Sequence, residues 1–560
     1  MKHFNQIFTQ RRIFWIFSGI MLVPNIFLCF TEQLPLLFKV SYILIPGALY
    51  LLLLILSRKP GITFWALFPL HFIGAFQLVL LYLFGNSIIA SDMFLNMFTT
   101  NSGEAFELLD KLAPAVVGVF LLYLAALALA VYSIRRTETL TPLFQKRVFM
   151  LAMLMIGSGI LVYTPAHRKY PHTARLDNLY PINAFNNARF AVDSWEAAKN
   201  YPRTSRKFDY RATSTRDTEL PEIYIFVIGE TSRAGNWGLY GYERNTTPKL
   251  NAMPDVIHFD DVLTQINATH KSVPLMLCPA DALNYNEIYR QKSLISAFKQ
   301  AGFHTSFLSN QLRNGSFTEF FADEADCTIY FAAPKNKPHL HDDVLLSAVD
   351  SLLNIGKTKQ LIILHTYGSH FNYCERYNTD CRIFTPDHIK EIDHKNKQAM
   401  INAYDNSIVA TDKFLAQVID KLDRTGKTSA MLYLSDHGED LLDDERNRFL
   451  HASPIPTYYQ LHIPFVIWFS DNYSTLFPDD IRQARNRHTT PFDSRVVFHT
   501  LLGIGIETEY RDDRLSLISP SFHLEKRYYV GEQNIPIPVR RLPLEEEDLQ
   551  AFERYGISPR

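Results

Sequence analysis

The stretch Ile223-Tyr-Ile-Phe-Val-Ile-Gly-Glu-Thr-Ser-Arg233 sets six β-branched or aromatic residues ahead of a glycine and a polar cluster. A run this short and continuously apolar reads as a strand covered on both faces, as in a parallel sheet between helices. Similar runs recur at Leu361-Ile-Ile-Leu364, Met431-Leu-Tyr-Leu434 and Pro464-Phe-Val-Ile-Trp-Phe469. Between them, Lys292 to Gln300 and Ala403 to Lys421 carry apolar residues at helical spacing. The alternation predicts an α/β domain over residues 221–560, with a mostly parallel sheet and helices on both faces.

Three of these strands run into polar clusters: Gly229-Glu-Thr-Ser-Arg233, His365-Thr-Tyr-Gly-Ser-His370 and Ser435-Asp-His-Gly-Glu-Asp440. In an open α/β sheet the carboxyl ends of the strands form the ligand crevice, so side chains distant in sequence meet there. One Asp-His-Gly after a strand is an ordinary Asx turn. Three clusters at matching strand ends point instead to a shared site. Glu, Asp and His together suit Zn²⁺ or Mn²⁺.

A nucleophile is missing from that set. Asn267-Ala-Thr-His-Lys-Ser-Val-Pro274 places hydroxyls at Thr269 and Ser272 ahead of a proline, the sign of a helix start. Either hydroxyl could cap that helix. Alternatively, a Thr or Ser at a helix N-terminus beside a divalent cation is easier to deprotonate and could attack phosphorus. Spacing alone leaves both readings open.

Outward from this domain the composition changes. The whole chain of 560 residues has 20% charged residues and a net charge of -1, with a mean hydropathy of -0.06. That average conceals 17 charges in the first 165 residues against 96 in the remaining 395. Intrinsic disorder and a single soluble domain are both excluded. Near charge balance in both parts also argues against a nucleic-acid partner.

Charge-free stretches run from Ile13 to Phe30, Val40 to Ser57, Pro60 to Ser91, Leu112 to Ile134 and Val148 to Ala166. Each is long enough to cross about 30 Å of hydrocarbon as a helix, which predicts a five-helix transmembrane domain over residues 1–166. No small-residue cleavage site follows the first, so it reads as a span and not as a signal peptide. Lys2, Arg11, Arg12, Arg58, Lys59, Arg135, Arg136, Lys146 and Arg147 all fall in loops on one side. The positive-inside rule puts that side, and the N-terminus, in the cytoplasm; five spans then place everything after Ala166 outside. Residues 167–220 mix basic and aromatic side chains and read as a linker with short amphipathic helices on the membrane surface. Cys278, Cys327, Cys374 and Cys381 form an even set in the exported part, where disulfides persist. Cys374 with Cys381 closes a short polar loop, which leaves Cys278 for Cys327.

Taken together, these motifs carry a resemblance. The five spans, the Gly-Glu-Thr-Ser-Arg strand end, Leu239-Tyr-Gly-Tyr-Glu-Arg-Asn-Thr-Thr-Pro248, Thr269-His-Lys-Ser-Val-Pro274, Ser435-Asp-His-Gly-Glu439 and Thr100-Asn-Ser-Gly-Glu-Ala105 resemble the lipid A phosphoethanolamine transferases of Gram-negative envelopes. These form a sulfatase-like branch of the alkaline phosphatase superfamily. The resemblance covers most of the chain and weakens after about Pro520.

It implies zinc ligands at Glu230, Asp436 and His437, with Thr269 both metal-bound and nucleophilic because it holds the first position of Thr-x-x-Ser-x-Pro. His370 and His451, with Glu439, resemble the second group, which binds phosphoryl oxygens or a second metal. Two departures stand out. Leu275 replaces a cysteine that often follows the Val-Pro, so the family's disulfides are not carried over. The family's phosphate-contacting run is only loosely matched by Ser309-Asn-Gln-Leu-Arg-Asn314, where Arg313 is either a phosphate contact or a solvated cation.

The implied reaction moves phosphoethanolamine from phosphatidylethanolamine to lipid A or another envelope glycan through a phospho-threonine intermediate, in the periplasm, on a Gram-negative inner-membrane protein. His370 or His451 would handle charge or protons, and Glu104 and Glu107 could meet the ethanolammonium. The expected cofactor is Zn²⁺ in preference to Mn²⁺. The alternatives are a phosphoglycerol transferase of the lipoteichoic-acid-synthase type and a sulfatase-like hydrolase. For the hydrolase, no Cys-x-Pro-x-Arg or Ser-x-Pro-x-Arg segment is present.

Overall fold

The apolar N-terminal stretches do form helices. A computed structural model describes residues 8–32, 34–84, 88–99, 113–170, 175–217, 219–331, 340–389, 392–524 and 526–559. Glu104 and Glu107 lie outside the described residues. The chain divides into two compact units, one of residues 1–94 and 108–192, the other of residues 95–107 and 193–560.

In the first unit, α1 (Gln10–Thr31), α2 (Leu36–Leu54), α5 (Ala113–Arg135) and α6 (Pro142–Lys169) are long helices, and each contains a stretch long and apolar enough to cross a membrane. The expected third span is instead a broken pair, α3 (Pro60–Ala66) and α4 (Phe68–Phe84), bent by 67°. Apolar composition fixes how much chain the hydrocarbon accepts but not whether the helix stays straight. The buried Asn25 is satisfied in place. Asn25 Nδ2 donates to the carbonyls of Tyr42 (3.2 Å) and Tyr180 (2.8 Å), while Tyr50 donates to Asn25 Oδ1 at 3.1 Å. After α6, the stretch expected to hold only short helices contains α7 (Ile182–Lys199), an 18-residue helix with exposed Ile182, Phe185 and Val192.

The second unit is built on a seven-stranded sheet of β1 (Glu222–Gly229), β2 (Val256–His258), β3 (His304–Ser309), β4 (Cys327–Tyr330), β5 (Lys359–His365), β6 (Thr428–Ser435) and β7 (Phe465–Phe469). Its order is β2-β7-β6-β1-β5-β3-β4. β1 is parallel to both β5 and β6, and β3 is parallel to β4 and β5. The exception is β7, which runs antiparallel to β6 and β2.

The strand alternation sorts the core into two layers. Tyr224, Phe226 and Ile228 pack with α8 (Thr269–Leu277), α9 (Leu294–Gln300) and α12 (Val496–Gly503). Ile223, Ile225 and Val227 face α10 (Val344–Leu353) and α11 (Lys397–Asp423). The central runs 223–228, 361–364, 431–434 and 465–469 are therefore apolar because both of their faces are covered.

Neither expected disulfide forms. All five cysteines are free thiols. Cys374 Sγ turns to the Asp387 carbonyl at 3.1 Å, and Cys278 is sealed in the core at the end of α8.

Candidate active site

β1 lies between β5 and β6, so the polar loops that follow these three strands are neighbours at one edge of the sheet. The backbones meet closely there. Gly368 has φ +52, and a Cβ on it would stand 2.7 Å from the Glu230 carbonyl oxygen, which requires glycine.

Glu230, Asp436 and His437 are buried, and each offers a ligand atom within 4.8 Å of the others. Asp436 Oδ1 accepts from the backbone amides of Thr231 (2.9 Å) and His437 (2.7 Å). Glu230 Oε1 accepts from Thr231 Oγ1 at 2.7 Å, and Glu230 Oε2 from Gln311 Nε2 at 2.9 Å. His437 Nδ1 is 2.9 Å from the Gly438 carbonyl, which can only accept. That contact places the ring proton on Nδ1 and leaves the Nε2 lone pair facing the carboxylates.

Thr269 completes the group. Its Oγ1 lies 3.0 Å from Glu230 Oε1 and 3.1 Å from His437 Nε2. Thr269 opens α8 after Ala268, and no side chain caps this helix. Ser272 Oγ turns away and donates to the Asp436 carbonyl at 2.7 Å. The two hydroxyls left open by the sequence are thus separated: Thr269 faces the acid cluster, and Ser272 braces the loop that carries Asp436.

The donor set fits a divalent cation. Asp436 Oδ2 is buried and has no hydrogen-bond partner among the described residues, and it sits 3.2 Å from His437 Nε2, which itself stands 3.6 Å from Glu230 Oε1. With the His437 ring proton on Nδ1, three acceptor atoms converge, an arrangement a cation resolves. Burial, joined for Glu230 by the charge of Asp436, pushes both carboxyls up to about 7. Burial also pulls His437 down to about 4.

A second group adjoins this one. His451 Nδ1 is 2.7 Å from Glu439 Oε2, and Tyr373 donates to Glu439 Oε1 at 2.7 Å. The His451 ring is 4.0 Å from that of His437 and 6.2 Å from that of His370. His437, Glu439 and His451 also converge closely enough to hold an ion. Burial raises Glu439 to about 8 and lowers His451 to about 3. His370 is held by its own loop, with Nδ1 2.6 Å from the Phe371 carbonyl and Arg376 Nε donating to its carbonyl at 2.9 Å.

A family model described as Sulfatase matches residues 222–505, and one described as Phosphoethanolamine transferase EptA/EptB matches residues 46–175. The chain belongs to the sulfatase family.

Phosphoethanolamine transferase EptA of Salmonella typhimurium is 27% identical over 457 residues, which cover 78% of this chain and 82% of the relative. Kdo(2)-lipid A phosphoethanolamine 7''-transferase of the same organism is 33% identical over 276 residues, covering 48% and 47%. The zinc complex of the C-terminal periplasmic domain of EptC from Escherichia coli aligns with TM-score 0.53 at 26% identity, covering 59% of this chain and 96% of that one. The integral membrane phosphoethanolamine transferase EptA from Neisseria meningitidis shares the fold over 89% of this chain and 98% of its own, with TM-score 0.69 and 23% identity.

In this sulfatase-family chain, three further residues that carry no sequence signature build the site. Gln311 links Glu230 to the Thr366 carbonyl, 3.0 Å away; Thr231 bonds Glu230, and Tyr373 bonds Glu439. An amide, a hydroxyl and a phenol in loops have no signature of their own, although Gln311 lies in the loosely matched run. Arg313 of that run pairs with Asp323 at 2.6 Å on the surface and lies over the Tyr330 ring. His365, quoted in the second cluster, turns into the sheet, where its Nδ1 is 3.2 Å from Ser309 Oγ.

Proposed function

We propose that this membrane enzyme transfers phosphoethanolamine from phosphatidylethanolamine to lipid A or a related envelope glycan, with Thr269 as nucleophile. The observation that carries this reading is the Thr269 hydroxyl set 3.0 Å from Glu230 and 3.1 Å from His437 inside a buried acid cluster. The relatives' names supply the transferred group and the acceptor class. On this reading the protein sits in the inner membrane with its N-terminus in the cytoplasm and residues 221–560 in the periplasm. That places the site in the compartment that holds its lipid substrates.

Glu230, Asp436, His437 and Thr269 would hold a divalent cation, which we take to be zinc; when bound it supplies the Lewis acidity that lowers the threonine hydroxyl's pKa. Thr269 Oγ1 gives its proton to Glu230 Oε1, 3.0 Å away, and attacks phosphorus, so the phosphorus–oxygen bond to glycerol breaks as the bond to threonine forms and diacylglycerol is displaced. The protonated Glu439 carboxyl donates to His451 Nδ1, so Nε2 carries the ring proton, which binds a phosphoryl oxygen and leaves with diacylglycerol. His370 approaches the same centre from the opposite loop. A phosphate or sugar hydroxyl of the acceptor then attacks phosphorus and frees Thr269. The α8 N-terminus favours the growing negative charge, and Gln311 fixes the orientation of Glu230.

The experiment is Thr269→Ala in cells that make lipid A. Envelope glycolipids should lose the phosphoethanolamine increment in their mass spectra while the protein stays in the membrane. An unchanged glycolipid profile would remove the assignment, and a phosphoglycerol increment in its place would change the donor.

A further inference from the structure

The end of the chain is tied to the loop that carries His451. α13 (Glu546–Arg554) begins at a capping box in which Glu545 and Asp548 bond each other's backbone amides. Asp548, fully buried, also reaches out of the box. It accepts from Arg446 Nη1 (2.6 Å), Arg446 Nη2 (3.0 Å) and the Tyr458 amide (3.0 Å). Glu545 Oε1 accepts from Arg448 Nη2 at 2.7 Å. The rings of Phe552 and Tyr555 lie 5.0 and 5.2 Å from that of Tyr458.

Arg446 and Arg448 belong to a hairpin whose short strands, Asp440–Leu441 and Phe449–Leu450, pair antiparallel. Glu439 immediately precedes this hairpin and His451 immediately follows it. The backbone around it is strained: Leu442, Asn447, Leu450 and Ala452 have φ of 56, 57, 67 and 60. A free loop would relax out of four left-handed non-glycine residues, so surrounding contacts must impose them. On the far side, the Ala452 amide donates to the Asn267 carbonyl at 3.0 Å, and Asn267 Nδ2 donates to the Ser453 carbonyl at 2.9 Å. His451 is thus gripped between the segment leading to Thr269 and the C-terminal helix.

We infer that Asp548 and Glu545 are positioning residues of the transfer reaction: through Arg446 and Arg448 they hold the strained hairpin so that His451, on Glu439, faces Thr269. This rests on the role given above to His451. Neither acid touches a reacting atom. The C-terminal segment, where the sequence resemblance fades, therefore has a function in the active site itself.

The test is a kinetic cycle on the full-length enzyme in detergent, with labelled phosphatidylethanolamine as donor and purified lipid A as acceptor. Asp548→Asn should lower kcat about 10-fold and leave KM within about twofold. Asp548→Glu should recover most of the loss. In a His451→Ala background the further loss from Asp548→Asn should vanish, because a positioning residue has nothing left to position. Multiplicative losses in the double variant, or a kcat for Asp548→Asn equal to wild type, would overturn the proposal. If Asp548→Asn yields little folded protein, Glu545→Gln, which removes the charge facing Arg448 and Arg446, carries the same cycle. Wild-type rates for His451→Ala alone would instead overturn the role of His451, an outcome separate from failure of the clamp.

Discussion

His437 Nε2 faces Asp436 Oδ2 across 3.2 Å, and the Nδ1 contact with the Gly438 carbonyl keeps the ring proton on the other nitrogen. A nitrogen lone pair and a carboxylate oxygen repel at that distance, so the contact marks the place of a cation. Stripping metal from the protein with a chelator should abolish transfer, and zinc should restore it. Metal analysis alongside the assay checks the claim, since full activity with no detectable metal would contradict it. Asp436→Asn should resist rescue at zinc concentrations that restore the wild type.

Gln311 holds Glu230 from behind through its 2.9 Å bond to Oε2. Residues that orient a metal ligand typically change affinity or activity about 10–100-fold when removed. Gln311→Ala should weaken zinc binding within that range, as read by competition with a chromophoric chelator. An unchanged affinity would mean that Glu230 needs no such support.

Arg313 tests the opposite expectation. Its guanidinium pairs with Asp323 at an exposed position, where an ion pair contributes about 0–1 kcal/mol. Arg313→Ala should leave the transfer rate within about twofold of wild type. A large rise in KM for either lipid would instead make Arg313 a substrate contact.

His462 should make the outer domain acid-sensitive. It is buried between Tyr458 Oη at Nδ1 and the Asp260 carbonyl at Nε2, both 2.8 Å away, and burial lowers its pKa from 6.5 to about 4. The folded state therefore binds fewer protons than the unfolded one between those values. Stability is fully present above 6.5 and falls as the pH drops toward 4, by up to about 3 kcal/mol from this group. Thermal unfolding of the full-length protein in detergent should show a shallower acid slope for His462→Gln than for the wild type. Identical slopes would show that His462 does not contribute.

What the sequence made legible follows from where physical signals concentrate. Buried strands such as Ile223–Ile228 advertise themselves because both faces are covered, and their polar ends at Glu230 and Asp436 stand out against that background. Direction is another matter. The run at Phe465–Phe469 looks like its parallel neighbours, yet it is reversed, because a strand apolar on both faces carries no mark of polarity. Likewise, the bend at Leu67 was hidden inside uniformly apolar sequence, and His365 looked like a site residue only because His370 follows five positions later. Gln311 and Asp548 act through partners more than 80 residues away in the chain, a relation that appears only once the fold brings them together.

On the proposed mechanism, phosphoethanolamine passes through Thr269. The most direct measurement is mass spectrometry of the full-length enzyme quenched after incubation with phosphatidylethanolamine and no acceptor. The account predicts a phosphoethanolamine increment on the peptide carrying Thr269, discharged when lipid A is added and missing from Thr269→Ala. Undiminished transfer by Thr269→Ala, or an increment mapped to another residue, would contradict it.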